Sequence, residues 1–302
     1  MVLGPTASGK TRLGAHVADA LQGTVLSFDS RQVYRELHIG CGKDLNEYTV
    51  QGRAVPYELI DISSVNEPFY TYDFVLHFIE AFARCQAQGR LPVLCGGTGL
   101  YFDTVLKQYQ HIQIPADAAL QQHMQQQSNE ALMQMLMVFP EALRSHADTS
   151  TRKRLMRAVE VATYLQQHTQ APIAYPQLRP LLVGLAPDVS ERKRRIHARL
   201  EARLQEGLVQ EVEGLLAGGV APEVLKRLGL EFKFVTEYVL GETPYDAMVT
   251  MLETAIRQYA KRQMTWFRKM EREGHTIHWL DAKADSGAQI KAIIELFLHK
   301  ND

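Results

Sequence analysis

Apolar positions fall into two kinds of run along the chain. Met1-Val2-Leu3, Thr24-Val25-Leu26-Ser27-Phe28, Leu91-Pro92-Val93-Leu94-Cys95 and Leu181-Leu182-Val183-Gly184-Leu185 are short and nearly continuous, as strands buried on both faces are. Between them the spacing is helical. Arg12 to Leu21 is amphipathic, and Tyr72 to Gln88 carries Phe74, Phe78, Ala81 and Phe82 on one face before Gly89 ends it. Tyr57-Glu58-Leu59-Ile60-Asp61-Ile62 alternates well enough for another strand or extended segment. His275 to Leu280 and Ala288 to Leu298 close the chain as a strand and a helix. Strands alternating with helices predict an α/β fold whose parallel sheet is flanked by helices.

The pattern changes after Pro115. Gln121 to Gln127 is rich in glutamine, and helical spacing with little strand signal runs to about Thr169. Residues 118–178 therefore read as a helical insertion domain between a first core part, 1–117, and a second, 179–302. Arg152-Lys153-Arg154-Leu155-Met156-Arg157 crowds positive charge there, with few acids to pair it before Glu160. A solvated helix face and a phosphate-backbone contact both fit such a run. Arg192-Lys193-Arg194-Arg195 is a second cluster, partly paired by Glu191, Glu201 and Glu206. The long helix expected over Tyr245 to Arg272 puts Ile256, Ala260, Gln263, Phe267 and Met270 on one face. Arg257, Lys261, Arg268 and Arg272 form a basic stripe roughly 100° away, and Trp266 flanks the apolar side. Such a stripe suits a polyanion, with a solvated surface helix as the plainer reading.

Composition narrows the class. With 46% apolar residues in 302, the chain can build a substantial core over about two domains. The formal net charge of −1 means that any nucleic-acid contact must come from local patches. No apolar run approaches the ~18 residues of a membrane span, and no signal segment precedes the first motif. Cys41, Cys85 and Cys95 have no metal or paired spacing, so they read as reduced thiols of a cytoplasmic protein. Only three residues precede Gly4, a short strand for the centre of a sheet, and the chain reads as a trimmed form of a longer natural product.

The chemistry starts at Gly4-Pro5-Thr6-Ala7-Ser8-Gly9-Lys10-Thr11, which fits the phosphate-loop pattern G-x-x-x-x-G-K-[ST] between a strand and a helix. Its glycines let successive N–H groups point into one concavity. Lys10 reaches the terminal phosphates, Thr11 is placed to hold Mg²⁺, and the helix dipole faces the same anion. The ligand carries a pyrophosphate, although NTPases, small-molecule kinases and group transferases all use this loop. Asp29-Ser30-Arg31-Gln32-Val33-Tyr34 leaves the carboxyl end of the second strand, the rim where open α/β sheets bind ligands. Asp29 there suits water-mediated Mg²⁺ coordination or proton acceptance; a helix N-cap by Asp29 or Ser30 is the compatible structural reading. Gly96-Gly97-Thr98-Gly99-Leu100-Tyr101 is a second glycine turn at a strand end, whose amides and Thr98 suit a second phosphate or the reacting group.

Taken in order, these motifs resemble those of the tRNA dimethylallyltransferase (isopentenyltransferase) family. Ile39-Gly40, Leu59-Ile60-Asp61, Arg157-Ala158-Val159-Glu160-Val161, Tyr259-Ala260-Lys261-Arg262-Gln263 and Thr265-Trp266-Phe267-Arg268 add to the match, which covers most of the chain. The resemblance implies a P-loop NTPase-like core and prenyl transfer from dimethylallyl diphosphate to N6 of adenine-37, beside the anticodon of tRNA. Gly4 to Thr11 would hold the donor diphosphate rather than ATP. Lys10, Mg²⁺ at Thr11 and the loop amides would stabilise the leaving group. Asp29 matches the residue that accepts the N6 proton, and Thr98 a position close to the reacting centre. Asp29, Ser30, Arg31 and Gln32 match a tRNA-contacting segment, as do Lys153, Arg154, Leu155, Met156 and Arg157. Arg257, Lys261 and Arg262 are assigned to the same partner, and a monomer is expected.

The chain departs from the family pattern at three places. Thr-Ala-Lys-Pro-Thr is usual where this chain has Cys41-Gly42-Lys43-Asp44-Leu45. His-His-Leu-Ile-Asp is usual where it has Tyr57-Glu58-Leu59-Ile60-Asp61, and Ile-Gly-Tyr-Lys where it has Leu228-Gly229-Leu230-Glu231. All three are expected to lie away from the diphosphate and to touch the acceptor half. A relative prenylating free adenine nucleotides, as cytokinin-forming enzymes do, is one alternative. A P-loop small-molecule kinase with arginines on a mobile lid is another. A non-catalytic RNA-binding protein would need no intact Lys10, Thr11 and Asp29. The helical insertion, the two basic segments and Tyr259 to Gln263 favour tRNA.

Overall fold

In the computed structural model, residues 1–145 and 147–301 are described, the last two by backbone alone. β1 (Val2–Leu3) runs into the phosphate loop, α1 (Lys10–Ala20) leaves it, and β2 (Thr24–Phe28) follows. A small antiparallel hairpin of β3 (Thr49–Val50) and β4 (Arg53–Ala54) precedes β5 (Tyr57–Glu58). Then come α2 (Thr71–Ala87), β6 (Pro92–Gly96) and α3 (Gly99–Lys107). Four helices follow: α4 (Ala118–Gln125), α5 (Asn129–Met137), α6 (Glu141–Arg144) and α7 (Arg152–Gln167). The chain returns to the sheet at β7 (Leu182–Leu185) and continues through α8 (Val189–Glu206), α9 (Leu208–Ala217), α10 (Pro222–Leu228) and α11 (Leu230–Val239). It ends with α12 (Tyr245–Arg272), β8 (Ile277–Leu280) and α13 (Ser286–Asn301).

The large sheet is parallel throughout, in the order β5-β2-β6-β1-β7-β8. β2 and β7 are buried at every position, which is why they read as unbroken apolar runs. β1 is short yet central: Val2 pairs with Cys95 on one side and Val183 on the other. The Met1 ammonium also donates to the Leu181 carbonyl at 2.7 Å. The alternating segment at 57–62 gives only two strand residues. Leu59 (φ 68°) and Asp61 (φ 60°) turn left-handed, and Asp61 forms an ion pair with buried Lys43 instead of extending the ladder.

The chain forms two compact units, residues 1–106 with 176–302, and residues 107–175. The helical unit thus starts at Lys107, ahead of the boundary at 118 read from composition, and ends at Tyr175. The reason is hydrogen bonding that hydropathy does not register. Gln110 exchanges two bonds with the Ile173 backbone, Gln113 donates to the Ala171 carbonyl, and the Tyr175 hydroxyl donates to the Tyr109 carbonyl. Inside, Met124, Leu132, Leu136, Leu155 and Val159 form the core, and Asp117, Ser128 and Thr151 cap α4, α5 and α7.

This packing corrects the reading of the basic run. Leu155 is buried in that core, where it cannot reach a partner, and Met156 is half-buried against it. Arg152 donates to the carbonyls of Met124, Gln125 and Gln127. Arg154 pairs with Asp148, an acid upstream of the run. Arg157 pairs with Glu160 and donates to the carbonyls of His111 and Ile114. Among the described residues, Lys153 is the one exposed cation of the run with no ion pair. Glu160 is 3% exposed and also accepts from the Asp117 amide and Gln121. Arg157→Ala should therefore cost about 3 kcal/mol of stability by leaving a buried carboxylate short of its partner. Lys153→Ala should stay within about 0.5 kcal/mol. Urea denaturation of the two variants checks both values.

Candidate active site

The phosphate loop is shaped by two left-handed residues, Ala7 (φ 58°) and Gly9 (φ 89°), which turn successive amides inward before α1 begins at Lys10. Gly4 has no room for a side chain: a Cβ would stand 2.6 Å from Ser8 Oγ and 2.7 Å from the Leu185 carbonyl oxygen. Burial pushes the Lys10 ammonium below the ordinary lysine pKa, and Asp29 across the cavity opposes that shift. Beneath the loop the Cys95 thiol donates to the Lys10 carbonyl, and burial raises it to about 11. It is a packed thiol rather than a nucleophile.

Register brings the other candidates to the same rim. Leu3 and Phe28 both lie level with Gly96, so Gly4, Asp29 and Gly97 leave three neighbouring strands at one height. The result is a cavity of about 610 Å³ whose lining includes Lys10, Thr11, Asp29, Ser30, Arg31 and Thr98. Asp29 Oδ1 accepts the Arg31 amide at 2.9 Å. Residues 30–33 are a turn and not a helix, so Asp29 closes an Asx turn in place of the N-cap considered from sequence. Thr98 Oγ1 accepts the Ser30 amide at 3.1 Å, and its own amide donates to the Phe28 carbonyl. The ends of β2 and β6 are thereby stitched together. Gln32 is 6% exposed, accepts from Ser27 Oγ and donates to the Gly42 carbonyl, so it acts as an internal strut rather than a free contact.

The stripe on α12 divides. Lys261 and Arg268 are exposed, while Arg257, also exposed, pairs with Glu253. Arg262 lies 5.8 Å above the Tyr259 ring, and both line the cavity with Trp266.

Sequence reasoning missed three residues of this site. Arg199 and Arg203 reach the cavity from one face of α8. Their four-residue spacing was the available signal, and the more conspicuous run at 192–195 obscured it. Half of that run is paired: Glu191 holds Arg194 and Arg195, and Arg195 also donates to the Ser8 carbonyl. The third is Gln263, read as part of an apolar face. Its Oε1 accepts the Thr6 amide at 2.8 Å and its Nε2 donates to the Gly97 carbonyl at 2.9 Å. One buried side-chain amide thus joins the phosphate loop, the second glycine turn and α12.

Two departures also fall elsewhere than expected. Cys41, Gly42, Leu230 and Glu231 line the same cavity as Lys10 and Thr11, and Glu231 shares a small recess with Thr6 and Ala7. They are therefore not remote from the phosphate loop, and Glu231 is the one of them that reaches it through that recess. The third, at Tyr57-Glu58, sits on the edge strand, where Glu58 pairs with Arg84. Lys43, the position that keeps the family residue, donates to the Tyr34 and Arg35 carbonyls and braces the chain after Asp29. Gln263→Leu removes both bonds of the bridge and should cost about 2 kcal/mol of stability. Inorganic diphosphate should bind it more weakly than wild type. Thermal unfolding and titration calorimetry read the two effects.

Comparison with known proteins agrees with this geometry. The model of the IPP transferase family matches residues 32–270. The chain is 45% identical over 281 residues to tRNA dimethylallyltransferase 2 of Bacteroides fragilis, covering 93% of this chain and 92% of the relative. It is 43% identical over 296 residues to tRNA dimethylallyltransferase 2 of Porphyromonas gingivalis, covering 98% of each. It superposes with a TM-score of 0.72 on the full-length tRNA isopentenylpyrophosphate transferase of Bacillus halodurans, at 29% identity over 99% of this chain and 95% of the other. A eukaryotic dimethylallyltransferase acting on tRNA shares the fold, with a TM-score of 0.73 at 20% identity, over 93% of this chain and 73% of that one. A parallel sheet that carries a phosphate loop, Asp29 and Thr98 on one rim, matched by such relatives over almost its whole length, makes this chain a member of the IPP transferase family.

Proposed function

We propose that the protein transfers a dimethylallyl group from dimethylallyl diphosphate to N6 of adenine-37, next to the anticodon of tRNA, and releases diphosphate. The observation that carries this reading is the convergence of Asp29 and Thr98 with Lys10 and Thr11 in one cavity. In the reaction the allylic C–O bond breaks and its electron pair leaves with diphosphate. The N6 lone pair forms the new C–N bond, and the N6 proton passes to Asp29. Lys10, Arg199 and Arg203 are the cations placed to meet charge developing on the leaving group. Tyr259 and Trp266 give the cavity apolar wall on which a base and a prenyl chain can pack.

The adenine must leave its stack to enter, at a cost of about a few kcal/mol. Exposed Lys153, Lys261 and Arg268 are the cations best suited to offset that cost through the RNA backbone. Among the described residues, no group of three or more His, Cys, Asp or Glu side chains could hold a metal. That fits a magnesium ion bound mainly through the donor's own oxygens and water, with the Thr11 hydroxyl as protein ligand. Bound there, Mg²⁺ would supply charge neutralisation at the diphosphate. No helix among the described residues is long and apolar enough to cross a membrane; with tRNA as acceptor, the enzyme is proposed to work in the cytoplasm as a monomer.

Incubation with Mg²⁺, dimethylallyl diphosphate and an anticodon stem-loop bearing unmodified A37 should add one C5H8 unit, read by mass spectrometry. AMP and ADP in parallel tubes should gain none; mass on the nucleotides alone would move the enzyme to the cytokinin-forming class. Asp29→Ala should lower kcat by about 10²–10⁴-fold, with donor binding retained. Chelation of Mg²⁺ with EDTA should stop the reaction, and addition of excess Mg²⁺ should restore it.

A further inference from the structure

Arg199 and Arg203, which line the cavity with the phosphate loop, do not meet an incoming anion as free charges. Arg203 Nη1 lies 3.2 Å from Glu231 Oε1, and Arg199 pairs with Asp44. Asp44 adopts a left-handed backbone (φ 39°), which aspartate tolerates better than most residues. Between the pairs lies Gly42, also left-handed (φ 63°), where a Cβ would run into both guanidinium groups. Gly42 is held in place by the Gln32 amide, which donates to its carbonyl. The positions at 42, 44 and 231, noted above as separate departures from the family pattern, therefore meet around one pair of arginines.

Arg199 and Arg203 each carry a counter-charge before any ligand arrives. Lys10, Arg199 and Arg203 are offset by Asp29, Asp44 and Glu231. Two guanidinium groups one helical turn apart repel each other, and the carboxylates relieve that repulsion. We propose that Asp44 and Glu231 are exchangeable counter-charges: diphosphate enters by displacing them from Arg199 and Arg203, and they return when it leaves. Both act through the arginines and so are positioning residues. Their effect falls hardest on the released product, because free diphosphate lacks the prenyl group whose wall contacts help to hold the donor. The proposal rests on the reading of the loop as a diphosphate site.

Titration calorimetry with inorganic diphosphate in Mg²⁺ tests it on the full-length protein. Glu231→Gln keeps the shape and removes the charge, so its Kd should fall on the order of tenfold, the effect of one charge a few ångströms away at intermediate dielectric. Asp44→Asn should act in the same direction and more weakly, because Asp44 is exposed and better screened. Arg203→Gln and Gly42→Ala should both weaken binding. An unchanged or raised Kd in folded Glu231→Gln would overturn the proposal, and Asp44→Asn carries the same expectation should Glu231→Gln fail to fold. Wild type that binds diphosphate without a gain in either variant removes this inference alone. Wild type that binds no diphosphate removes the proposed function along with it.

Discussion

Everything at the active rim depends on register. The strands that end at Leu3, Phe28 and Gly96 stop at one level because their hydrogen-bond ladders run in phase. A shift by one residue would turn each strand's side chains to the opposite face and carry the following loops out of line. Steric closeness fixes the level. A Cβ on Gly96 would meet the Phe28 carbonyl, and one on Gly97 would press on Gln263 and the Gly4 carbonyl. Glycine at these positions lets three backbones converge tightly enough for one side-chain amide to bridge two of the loops. The geometry of the candidate site is thus set by backbone packing first and by side-chain chemistry second.

Much of this was legible in the sequence because it rests on local patterning. The spans of β2 and α12 coincide with the hydropathy reading, and the phosphate loop, Asp29 and Thr98 meet as their positions at strand ends imply. What was not legible depends on partners far apart in the chain. Arg152 and Arg157 look like a charged surface until the carbonyls they bind are brought alongside them. Gln263 looks like one more core position until Thr6 and Gly97 arrive from opposite ends of the sequence. The segment at 57–62 alternates in hydropathy, yet the Lys43–Asp61 ion pair and two left-handed residues end the strand early.

The cavity also shows how buried cations are kept soluble in their own fold. Arg199 and Arg203 each have a carboxylate from elsewhere in the chain, Asp44 and Glu231, and burial still lowers the pKa of Lys10 and Arg199. Pairing of this kind limits the self-repulsion that two unmatched guanidinium groups would impose on the folded state.

The helical unit of residues 107–175 closes on itself at its neck, where Gln110, Gln113 and Tyr175 tie its two ends together. For the chain entropy of the sheet domain, the whole insertion then counts as a bridge only a few residues long. A long excursion between β6 and β7 thereby leaves the pairing of β1 with both of them almost unpenalised. The same knot of hydrogen bonds gives the unit a boundary at which it could be lengthened, exchanged or lost without disturbing the order of the strands.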